Sequence, residues 1–155
     1  MTLRRILAVM AGLAFGVISS ELSFGRLRPE SGAPSVLYSI EVRNQAGDLL
    51  ASPMVVGEEG RPVHLHATYV GERSELNMSL DLDPQPDGEG AVCLGYKLSI
   101  EDGFPHAGRV GLPYGEMRSV RLIGGGESLR LSLVVARAHT KEFEQILHRR
   151  RRPAA

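Results

Sequence analysis

Residues 76–83 read Leu-Asn-Met-Ser-Leu-Asp-Leu-Asp, an unbroken alternation of apolar and polar side chains. Neighbouring side chains of a β-strand point to opposite faces. A period of two therefore gathers Leu76, Met78, Leu80 and Leu82 on one face and Asn77, Ser79, Asp81 and Asp83 on the other. A helix of the same order would scatter its leucines around the whole circumference. The stretch is a strand with one dry and one wet face, which belongs in an antiparallel sheet rather than a parallel one.

The pattern recurs along most of the chain. Val92, Leu94, Tyr96, Leu98 and Ile100 alternate again after PQPDGEG at 84–90, which reads as a loop. Upstream, Val63, Leu65, Ala67 and Tyr69 point one way, and His64, His66 and Thr68 the other. Residues 35–43 place Val36, Tyr38, Ile40 and Val42 on a shared face, and NQAGD at 44–48 is a turn. Pro53 has no N–H for a ladder, so it marks a sheet edge or the start of the short strand 54–56. Pro and Gly are dense from 104 to 115, which predicts a loop with one short strand at 109–112. Residues 117–123 and 128–137 flank GGGE at 124–127 as a hairpin, with Leu129, Leu131, Leu133 and Val135 facing inward. Only after His139 does the period change. Phe143, Ile146, Leu147 and Arg150 stand at i, i+3, i+4 and i+7, a short helix with Thr140 as its N-cap. Arg149, Arg150, Arg151 and Arg152 then suit the negative pole of its dipole. The expected architecture is all-β: one β-sandwich or small open barrel of about 7–8 antiparallel strands with one short C-terminal helix.

A chain of 155 residues with 43% hydrophobic content holds one domain with its own core. Aromatic residues make up 5% and Trp is absent, so that core is built mostly from Leu and Val. The 18 basic and 18 acidic residues cancel formally but are segregated. Residues 21–102 carry 14 acidic and 6 basic side chains, whereas residues 103–155 carry 4 acidic and 10 basic. Such polarity guides self-association or a charged partner.

The first 20 residues read as a secretory signal: Arg4 and Arg5, an uncharged run from 6 to 18, then Ser19 and Ser20. The run is shorter than the roughly 20 apolar residues that span a bilayer. The expected location is therefore periplasmic or secreted, with an uncleaved inner-membrane anchor as the alternative. The domain order expected is a signal peptide at 1–20, a linker at 21–34, the β-domain at 35–137, and the amphipathic helix with its basic tail at 138–155.

Residues 51–100 resemble the core segment of bacterial secretins, the outer-membrane rings of secretion systems. The matching positions are Pro53, Gly60, Val63 to Ala67, Leu80-Asp81-Leu82-Asp83-Pro84, Gly88, Val92, Leu94 and Ser99. Eight residues separate Ala67 from Leu76, where a secretin carries two long membrane-spanning hairpins. The resemblance implies an envelope β-domain without a gate.

Few constellations carry chemistry. His64 and His66 share a strand face, a spacing from which two imidazoles can converge on one metal ion once a third ligand joins them. Asp83 to Gly88 imitates part of a calcium loop, but Gln85 and Leu94 stand where further ligands are needed. Gly124-Gly125-Gly126 lacks the Lys and Ser/Thr of a phosphate-binding loop. Cys93 is the single cysteine, so it is either packed away or able to pair with another molecule. No nucleophile–base order stands out, and no cofactor is expected. The function expected is a non-catalytic accessory module of the cell envelope acting through protein contacts. The alternative is a small metal-dependent enzyme or ligand carrier using the His64/His66 face. The contact residues expected are Phe143, Ile146, Leu147 and Arg149 to Arg152, beside the sheet edge near Pro53. The partner is an envelope protein or a second copy, with peripheral membrane contact through the Arg tail and no role for nucleic acid.

Overall fold

A computed structural model describes residues 32–70, 75–101, 103, 105–124 and 127–151. The expected signal peptide, most of the linker and Arg152 lie outside the described residues. The strands are β1 (Ser35–Arg43), β2 (Leu49–Ala51), β3 (Met54–Glu58), β4 (Val63–Val70), β5 (Glu75–Pro86), β6 (Ala91–Ile100), β7 (His106–Pro113), β8 (Arg118–Gly124) and β9 (Glu127–Arg137). One helix, α1 (Lys141–Arg151), follows them.

The strands form two antiparallel sheets. In the five-stranded sheet the order is β2-β1-β9-β8, with β3 also paired to β1. In the four-stranded sheet it is β4-β5-β6-β7. β2 and β3 are two pieces of one interrupted edge, broken at Pro53, whose carbonyl accepts the Ile40 N–H at 3.0 Å. Pairing follows sequence order except for β1 with β3, the second piece of its edge partner, and β1 with β9, which joins the two ends of the β-domain in the middle of one sheet. The result is the expected sandwich, open between its sheets rather than closed as a barrel.

Alternation places the core as anticipated. Leu76, Met78, Leu80 and Leu82 from β5 meet Leu131 and Leu133 from β9 and Ile40 from β1 in one cluster between the sheets. Leu80, Leu94, Leu98 and Leu131 are fully buried.

Two loop expectations are corrected. β5 continues through Pro84 to Pro86, paired with Leu94 and Val92 of β6. Its other neighbour has already stopped, because the last β4 partner is Val63 opposite Leu82. Beyond that point one side of β5 requires no N–H, and prolines two residues apart both face that side. The region from 104 to 115 likewise holds a full edge strand, β7, with Val110 and Leu112 turned toward the core. Its glycines are accommodated rather than disruptive: Gly108 lies against the Tyr96 ring, where a Cβ would collide with the hydroxyl.

α1 starts as expected. Thr140 Oγ1 accepts the Phe143 N–H at 3.3 Å, closing the cap, and its hydroxyl donates to the Arg137 carbonyl at 2.7 Å. His139, at φ 64, turns the chain out of β9 and onto the sheet. Among the described residues no helix is long and apolar enough to cross a membrane.

Candidate functional site

Of the two fates open to the apolar stripe of α1, docking on its own sheet or meeting a partner, the structure takes the first. Ile146 is buried against Leu37, Val134 and Ala136, and Phe143 and Leu147 pack on the same cluster with Met54 and Val56. This second, smaller core lies on the outer face of the five-stranded sheet. Arg149 stays exposed at the end of the helix. Arg149 is therefore carried on the surface while the apolar residues are held within the domain.

The four-stranded sheet presents the opposite case. Its outward residues are polar or small apart from Val70 at the end of β4, and no described element packs on them. Register sets them in rows: His64, Asp81, Lys97 and Ala107 across the four strands, and Asp83, Gly95 and Arg109 beside them. Gly95 and Ala107 lower the middle of these rows into an open trough, with Asp81 and Asp83 on one side and Lys97 and Arg109 on the other. His66 and Ser79 form the next row, and Thr68 donates to Asn77 at 2.8 Å in the one after.

His64 lies in this trough, its Nδ1 2.9 Å from Asp81 Oδ1. A carboxylate on one ring nitrogen orients the imidazole and leaves Nε2 available to accept a proton or a metal. The imidazole is 76% exposed and Asp81 47%, so both are solvated. His66 is two residues along the same face, but among the described residues no group of three His, Cys, Asp or Glu side chains is placed to hold an ion. The calcium-like loop is used internally. Asp87 accepts N–H groups from Glu89 at 2.7 Å and Ala91 at 3.0 Å, and these bonds draw its carboxyl below the usual range. Cys93 is exposed on the outward face of β6, opposite Gln85 and Gly111.

One constellation escaped sequence reasoning. Glu59, in the β3–β4 turn, accepts hydrogen bonds from the Tyr114 hydroxyl and from Arg137 Nε at 2.9 Å, and its carboxylate forms an ion pair with Arg137 Nη2 at 2.7 Å. The Arg137 guanidinium stacks 4.4 Å from the Tyr114 ring centroid. Burial alone would push the Glu59 carboxyl up. The hydrogen bonds from Tyr114 and Arg137 and the guanidinium charge outweigh it, so the group sits below the usual range. Tyr114 is pushed up to about 12 by burial and by its bond to Glu59. Tyr38, buried beneath them, also rises to about 12, through burial first and then the charges of Tyr114 and Glu59. The cluster ties the β3–β4 crossing to the β7–β8 crossing, the two places where the chain passes between sheets. Its members are 55 and 78 residues apart in pairing, and no local period marks them.

The fold and site define an all-β sandwich with one helix-covered and one bare outer face. No protein-family model matches this sequence, and neither a curated protein nor a solved structure matches it.

Proposed function

We propose that the chain is an exported, non-catalytic binding module of the bacterial cell envelope, and that it recognises a protein partner through the outer face of the four-stranded sheet. The observation that carries this reading is the uncovered trough between Asp81 and Asp83 on β5 and Lys97 and Arg109 on β6 and β7. Charged groups in fixed register on a rigid sheet give orientation and on-rate to a partner of complementary charge. β4 and β7, the outermost strands of this sheet among the described residues, border the same face and offer backbone groups for strand addition. Arg4 and Arg5 ahead of the apolar run 6–18 support export, and the likeness of residues 51–100 to the secretin core supports an envelope setting.

Two measurements test the reading together. N-terminal sequencing of the mature chain should begin beyond residue 20. A photo-crosslinking side chain at Lys97 should give a discrete adduct in intact cells, and one at Ser119 on the other sheet should not. A chain that starts at Met1 in the cytoplasm, or the same adducts from both positions, defeats the proposal.

A second reading follows from the 2.9 Å contact between His64 and Asp81: the same face holds a metal ion. Metal analysis of protein purified without chelator decides it. A stoichiometric ion that disappears in His66→Ala favours the metal, and its absence from the intact protein removes this reading.

A further inference from the structure

Antiparallel register sets three arginines side by side on the five-stranded sheet. Arg43 on β1 is opposite Arg130 on β9, and Arg130 is opposite Arg121 on β8. All three are on the outward face, past the portion that α1 covers. Directly opposed like charges weaken a sheet. Arg43 is partly neutralised by Glu41 at 3.2 Å and donates to the Gly47 carbonyl at 3.0 Å. Arg121 and Arg130 are exposed, and among the described residues neither forms an ion pair. The folded chain thus holds two unneutralised guanidiniums next to each other, a repulsion that an external anion would relieve.

The neighbours of the row narrow the choice of anion. Leu49 on β2 pairs with Arg43 at one end and is 40% exposed. Ile123, on the same face of β8 two residues beyond Arg121, is 80% exposed, more than any other large hydrophobic residue described. Cations flanked by apolar tips on one flat face match the boundary layer of an anionic bilayer. Guanidiniums pair there with lipid phosphates while apolar side chains enter the headgroup region. A soluble oxyanion would engage the arginines and leave Ile123 in water. The carboxylates on the other sheet of a second copy would match the charge, but Lys97 and Arg109 stand in the same rows and would repel the arginines. We propose that this face of the five-stranded sheet rests on an anionic membrane surface, with Arg121 and Arg130 holding lipid phosphates and Ile123 inserted beside them. The inference does not depend on what the four-stranded sheet recognises.

The test is co-sedimentation of the full chain with vesicles of phosphatidylcholine alone and of phosphatidylcholine mixed with phosphatidylglycerol. The ratio of the two partition coefficients cancels the contribution of residues 6–18, which every variant shares. Each arginine close to an anionic leaflet is worth about fivefold in partitioning, so R121Q/R130Q should lower the ratio about thirtyfold. Arg121→Lys should keep most of it, and Ile123→Ser should weaken binding to the mixed vesicles several-fold. K97Q/R109Q, on the opposite face, should leave the ratio unchanged. The melting temperature of R121Q/R130Q should be no lower than that of the parent, because opposed charges have been removed. An unchanged ratio in R121Q/R130Q overturns the proposal, and so does an equal loss in K97Q/R109Q. Full binding by Ile123→Ser overturns it as well, since the contact would then be charge attraction alone, with no apolar side chain inserted.

Discussion

The two sheets share one core but differ on their outer faces, and the difference is written in how strictly their strands alternate. β5 and β6 alternate without exception until their ends, and their outward residues are polar or small and uncovered. β1 and β9 do not: Leu37 interrupts the first, and Val134 and Ala136 the second. Those three residues are the floor on which α1 docks. Strict alternation thus marks a face left to water, and a lapse marks a face that something covers. The same contrast extends to charge. The bare face sets Asp81 and Asp83 beside Lys97 and Arg109, while the half-covered one carries the Arg43–Arg130–Arg121 row. Charges of both signs share the first surface, and like charges are stacked on the second.

The largest expected effect comes from the core that both sheets share. Leu80 and Leu131 are fully buried from opposite sides of it. Truncating either to Ala should cost about 2–5 kcal/mol, measured by chemical denaturation. Similar losses on the two sides mean one cooperative core. A much smaller loss at Leu131 would mean that the five-stranded sheet is anchored mainly by α1.

The second prediction separates the faces. Ile146→Ala should destabilise the domain by about 2 kcal/mol, since its side chain fills the cluster over Leu37 and Val134. Ser99→Ala, on the bare face, should stay within about 0.5 kcal/mol. If Ile146→Ala is equally mild, the helix is a loosely held element, and its stripe is then free for a partner after all.

Glu59 probes the joint between the sheets. Its carboxyl is held below the ordinary value of 4.5, so the ionised form favours the folded state. That contribution is complete above the unfolded value and is lost as pH falls through the lower, folded one. Glu59→Gln should therefore cost about 1–2 kcal/mol near neutrality, the scale of buried charge-assisted hydrogen bonds, and progressively less below about pH 4. Urea midpoints for both proteins across pH 3–7 check this. A cost that does not shrink in acid would place the contribution of Glu59 in packing rather than charge.

Legibility followed range. The dry face of each alternating strand, the β8–β9 hairpin and the Thr140 cap depend on neighbours within a few residues, and local pattern revealed them. The extension of β5 through Pro84 and Pro86 depends on where β4 ends, which no residue near the prolines announces. β7 was legible only as the short piece 109–112, because the surrounding Pro and Gly read as a loop, whereas Gly108 makes room for Tyr96 from another strand. The Glu59–Tyr114–Arg137 cluster and the arginine row are products of register between distant segments. His64 and His66 were placed correctly on one strand face, yet the partner that matters to His64 is Asp81, on the next strand.

That pair supplies the smallest expected effect and the sharpest test of the bare face. An exposed pair between flexible, solvated groups contributes little, because the attraction is screened and the side chains lose freedom in meeting. His64 and Asp81 both lie well in water, and the imidazole is charged only when protonated. Their coupling, from the double-mutant cycle of His64→Ala and Asp81→Ala, should be below about 0.5 kcal/mol at neutral pH. A near-zero coupling fits a face whose polar groups serve a partner and contribute almost nothing to the fold. A coupling above about 1 kcal/mol would mean that the trough is preorganised without a partner. The contrast between a structural face and a free one would then fail at this point. His64, held by Asp81 with Nε2 directed to solvent, would have to be treated as part of a built site.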